Sequence, residues 1–142
     1  MISDALLQFS NSQGITGAAA SDSYVDLGAA RDIGTGEDLF VVSVVTVAFT
    51  DASSDSTLSV DLYADSSTSF TPDGSQRLFT IPALAAIGAT FYAKISPGQT
   101  DYRYLELYYT PNNGNLSTGS LTSFVTKDIS KFKAYAKGYT IS

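Results

Sequence analysis

Carboxylates are the first residues in this chain whose spacing could do chemistry. Asp51 and Asp55 share one short stretch, and Asp61 and Asp65 stand four residues apart. Paired carboxylates can hold calcium, or divide the roles of acid and base in glycoside hydrolysis. The pattern fits neither use. No stretch places acids at alternate positions closed by a glycine and a final glutamate, and Glu37 and Glu106 are the only glutamates in the chain. On one strand Asp61 and Asp65 would lie about 13 Å apart at ~3.3 Å per residue. A solvated acidic surface is the plainer reading. The chain also has no histidine and no cysteine. That removes the proton shuttle of a catalytic triad, the thiol nucleophile and the thiolate metal site. The expectation is no enzyme, no cofactor and no bound metal.

Aromatic residues carry more. In Tyr102-Arg-Tyr-Leu-Glu-Leu-Tyr-Tyr109, alternation puts Tyr102, Tyr104, Glu106 and Tyr108 on one face, with Leu105, Leu107 and Tyr109 on the core side. Tyrosine suits strands in general, but a row of them on an outer face can also stack sugars or form the centre of an interface. From Leu39 to Phe49 both faces are apolar. Leu39, Val41, Val45, Val47 and Phe49 fall on one face, and Phe40, Val42, Val44 and Ala48 on the other. A sandwich strand buries one face in its own core, so something must cover the second. The candidates are an N-terminal helix carrying Leu6, Leu7 and Phe9, or a second subunit. At the C-terminal end Lys127, Lys131, Lys133 and Lys137 are interleaved with Phe132, Tyr135 and Tyr139. That mixture suits a segment docking on an acidic partner, or simple packing on the parent sheet.

The elements that must position these residues are strands. Ser3 can cap a short helix through Phe9, and the small residues from Asn11 to Ser23 read as an arm, giving residues 1–23 as helix and arm and 24–142 as the folded body. From Tyr24 the dominant period is two. Strands are predicted at Tyr24–Leu27, Leu39–Phe49, Thr57–Asp65, Arg77–Ile81, Thr90–Ile95, Tyr102–Thr110 and Ser120–Lys127, with a last short piece at Gly138–Ile141. Pro, Gly, Asn and Asp punctuate them as turns require. Seven to eight strands of this kind predict an all-β antiparallel sandwich, jelly roll or barrel.

Composition agrees with a binding or assembly role. The 142 residues fit one domain. Charged residues make up only 15% of the chain, while Ser and Thr are abundant, and hydroxyls cost less to desolvate than ions. Net charge is −6, with the acids concentrated in the first half and seven of the eight bases after residue 76. An acidic body argues against nucleic acid as the main partner. No basic residue precedes Arg31, and the apolar stretch Leu39–Phe49 is too short for a membrane helix. Synthesis in a cytoplasm, with no leader and no membrane anchoring, is expected.

Three blocks, in order, resemble a known family. They are Ile2-Ser-Asp-Ala-Leu-Leu-Gln-Phe-Ser10, Val25-Asp-Leu-Gly-Ala-Ala-Arg-Asp-Ile-Gly-Thr-Gly-Glu37, and Thr126-Lys-Asp128 followed by Tyr135-Ala-Lys-Gly-Tyr-Thr140. The chain resembles the capsid cement, or decoration, proteins typified by the Bordetella phage cement protein. The resemblance implies a jelly roll, a homodimer, and attachment to the outside of a tailed-phage icosahedral shell by bridging major capsid subunits. It also implies a place on the virion exterior after synthesis in a bacterial cytoplasm. Ala136 stands where the family reads proline. The residues expected to meet partners are Leu6, Leu7, Phe9, Phe40, Val42, Val44, Tyr102, Tyr104, Tyr108, Phe132, Tyr135, Lys137 and Tyr139. The alternative is a carbohydrate- or receptor-binding sandwich module of a tail or fibre, using the tyrosine row.

Overall fold

Alternating apolar residues build two antiparallel sheets that close on one core. The computed structural model describes residues 8–31, 39–67, 74–95 and 102–126. Among these lie nine strands and no helix: β1 Gln8–Gly14, β2 Ala19–Ala20, β3 Val25–Arg31, β4 Phe40–Thr50, β5 Thr57–Asp65, β6 Gly74–Ile81, β7 Thr90–Lys94, β8 Tyr102–Asn112 and β9 Thr118–Thr126. One sheet runs β1-β9-β4-β7, and the other runs β2-β8-β5-β6 with β3 also paired to β8. β2 and β3 lie on the same edge of β8, Ala20 opposite Tyr108 and Val25 opposite Leu105, so they form one interrupted edge.

The all-β antiparallel sandwich expected from the sequence is the observed fold. Its N-terminus differs. Gln8 and Phe9, assigned above to a helix, belong to β1, which pairs with β9 through two irregularities in register. Phe9 and Ile15 are fully buried in the main core. Ser23 N donates to Phe9 O, and Ser21 N to Leu107 O. Residues 8–23 are therefore part of the sandwich rather than an arm. Strand pairing satisfies the backbone groups that the helix would have satisfied internally, and burial of Phe9 and Ile15 supplies the driving force. Residues 1–7 and the piece at Gly138–Ile141 lie outside the described residues.

β4 bulges twice. Its register with β9 shifts between Val45 and Val47 and again between Val47 and Thr50. Each bulge inserts one unpaired residue and reverses the facing of those that follow. Val47 thus turns outward, 44% exposed, while Phe49 returns to the core. Uninterrupted alternation puts Val47 on the same face as Val41, Val45 and Phe49. Opposite the second bulge, Gly119 adopts φ 147°. A Cβ there would stand 1.9 Å from Cδ1 of Phe49, so the ring lies directly on the glycine backbone.

A chain of polar groups runs through the apolar core between the sheets. Ser43 Oγ lies 2.7 Å from Ser123 Oγ, and Tyr109 OH lies 3.0 Å from Ser123 Oγ and 2.7 Å from Ser10 Oγ. Ser10 Oγ donates to Gln13 Oε1. Gln13 in turn donates from Nε2 to Ala20 O and accepts from Asp22 N, which ties one sheet to the other. Every member is paired, which keeps buried hydroxyls from costing stability. Burial pushes the Tyr109 phenol up to about 12.

Candidate interaction surfaces

The outer face of the β2-β8-β5-β6 sheet carries the tyrosine row, placed there by the period of two in β8. Leu105, Leu107 and Tyr109 point into the core, while Tyr104, Glu106 and Tyr108 are half-buried on the other side. β5 brings further groups. Tyr63 stands opposite Glu106, and Asp61 opposite Tyr108. The Tyr63 and Tyr108 rings stack at 5.4 Å with an interplanar angle of 14°. Tyr24, preceding β3, meets the Tyr104 ring edge-on at 5.5 Å. Two ion pairs flank the rings. Arg103 forks onto Asp26 through Nε at 2.8 Å and Nη2 at 3.1 Å, and Arg77 pairs with Asp61. Arg103 also places Cζ 5.0 Å over the Tyr104 ring. Tyr102, expected in the row, packs instead against the main core.

The outer face of the other sheet is apolar in a different way. Val42 and Phe124 form a small buried cluster with Val44 packed on it. Phe40 meets Tyr92 of β7 at 6.3 Å, and Tyr92 is 38% exposed. Val42 was expected to meet a partner, yet it is fully buried within the chain. Phe9 was expected to cover this face and lies inside the core instead. Both leave the set of accessible partner residues, because a side chain with no exposed surface offers a partner nothing. Phe40 and Val44 are half-buried. Leu6, Leu7, Phe132, Tyr135, Lys137 and Tyr139 lie outside the described residues.

A third surface went unread in the sequence. The segment after β6 runs beside β4: Phe49 N donates to Ala85 O, Val45 N to Ala89 O, and Gly88 N to Val45 O. This sets Leu84 (52% exposed) and Ile87 (69%) near Val47. Leu84 is held at φ 60°, a conformation that costs a bulky residue. The readable signal is that residues 78–93 contain no charge at all.

The carboxylates do not gather. Among the described residues no group of three or more His, Cys, Asp or Glu is placed to hold a metal ion. Among the same residues no helix is long and apolar enough to cross a membrane. Asp51 caps its own turn: burial works against its charge, but a hydrogen bond from Ser56 Oγ and backbone amides of the turn outweigh it and lower its pKa.

Comparison with known families finds a match to the Bbp16 family over residues 9–125, which spans all but the first residue of β1 and the last of β9. No curated protein matches the chain.

Proposed function

Because the chain belongs to the Bbp16 family, a family of Bordetella phage proteins, we propose that it is a capsid cement protein. In this reading it binds the outside of a tailed-phage icosahedral shell as a homodimer and stabilises the shell by bridging major capsid subunits. It performs no catalysis and binds no cofactor, and its place is the exterior of the virion. The family match carries the reading. The strand order supports its jelly-roll part, since β1-β9-β4-β7 facing β2/β3-β8-β5-β6 is the arrangement expected of eight strand positions wound as two Greek keys. The surface supports its adhesive part: exposed Val47, Leu84 and Ile87 on one side and a tyrosine face on another exceed what one core requires.

Co-sedimentation with purified shells tests the proposal. The protein should pellet with shells at a fixed stoichiometry and raise the temperature at which they open. Recovery of all the protein in the supernatant, at concentrations well above a micromolar, would overturn it.

A further inference from the structure

We propose that the tyrosine face of the β2-β8-β5-β6 sheet is a docking site for a lysine side chain of a neighbouring protein. The key residue is Glu106. It sits half-buried on β8 between Tyr104 and Tyr108, and directly opposite Tyr63 on β5. Tyrosines thus border it on three sides. Asp61 and Asp26 on the same face have arginine partners, but among the described residues Glu106 has no hydrogen-bond or ion-pair partner. Burial raises its pKa, with no compensating donor.

A carboxylate partly withdrawn from water without a partner is less well solvated, and a cation arriving from outside offsets that loss. Tyrosine rings beside a carboxylate suit a cation on an apolar stem, because they attract the charge and cover the aliphatic part, and a lysine offers both. The face already holds one cation in this manner, Arg103 over Tyr104. That guanidinium is neutralised by Asp26, so it does not serve Glu106. Charge complementarity therefore fixes the occupant as basic. The inference does not depend on capsid binding.

The test uses the full-length protein and a synthetic peptide, acetyl-Lys-Phe-Lys-Ala-Tyr-Ala-Lys-amide, which copies the lysine-rich stretch this chain carries at 131–137. Calorimetric titration should show saturable binding, and a peptide with glutamine at each lysine should not bind. Glu106→Gln keeps the shape of the side chain and should weaken binding about tenfold, a loss of about 1.4 kcal/mol. Amide shifts in the nuclear magnetic resonance spectrum of the unaltered protein should concentrate at residues 63 and 104–108. No binding by the lysine peptide, equal binding by Glu106→Gln, or shifts confined to another face would each overturn the proposal.

Discussion

At Gly119 one missing methyl group decides how two strands meet. The Phe49 ring occupies the space where a Cβ would be, and the φ of 147° is one that side chains rarely adopt. Gly119→Ala must displace a ring that is 2% exposed and surrounded by the core. A cost of about 2 kcal/mol or more is expected from overpacking and backbone strain together. Chemical denaturation of the variant checks it, and an unchanged midpoint would show that the bulge yields freely. Glu106 makes the opposite prediction. Its pKa is raised in the folded chain, so between its ordinary value near 4.5 and its folded value the native state binds more protons than the unfolded one. This group's contribution to stability is best at low pH and declines as pH rises through that window. Glu106→Gln should therefore be as stable as the parent below pH 4 and more stable at pH 7. Thermal melts across pH 4–7 measure the difference between the two proteins, and a difference of the reverse sign would mean the carboxylate has a partner.

Among the elements, β1 shows most clearly what a period of two can and cannot reveal. Deleting residues 1–14 removes Phe9 from the core and strips β9 of its outer neighbour. Phe9→Ala alone should cost about 3–5 kcal/mol, and the deletion should abolish the cooperative transition seen by circular dichroism. A truncated chain that still melted cooperatively would return residues 1–14 to the status of an arm. β5 was legible to the residue, because Leu58, Val60, Leu62 and Ala64 alternate with polar neighbours and reach 1% exposure or less. β8 was legible for the same reason. β1 was not: Gln8-Phe-Ser-Asn-Ser-Gln-Gly has a single large apolar residue, and its two register irregularities break the alternation. Its inward positions include Ser10 and Gln13, which earn their place through the Tyr109 network rather than through hydrophobicity. That network joins residues up to 99 apart in the chain, and no local pattern announces it. The tyrosine face was half legible. Tyr104 and Tyr108 follow from the period of β8, whereas their ring partners come from elsewhere, Tyr63 from β5 and Tyr24 from the residue before β3.

Among the described residues, apolar surface is divided between a main core, the small Val42–Phe124 cluster and a few sites that face outward, and the outward sites are where assembly is to be sought. Leu84 separates the two roles sharply. Its φ of 60° disfavours any side chain, and its exposure of 52% means that little packing compensates. A strained conformation at an exposed apolar residue makes it a position at which to test for function. Leu84→Gly removes the apolar side chain and the strain together. Relief of the strain and the greater freedom of glycine in the unfolded chain act in opposite directions, each on the order of 1 kcal/mol. The melting temperature should accordingly stay within a few degrees of the parent. Ile87→Ser, at 69% exposure, should also change stability by less than about 0.5 kcal/mol. If this corner of the sandwich is one of the surfaces that grip the shell, both variants should still fold while co-sedimenting with shells several-fold less well than the parent. The same pair of measurements rejects the idea in either of two ways. A fall in melting temperature by ten degrees or more would place these side chains in the chain's own packing, and unchanged shell binding would place the contact elsewhere.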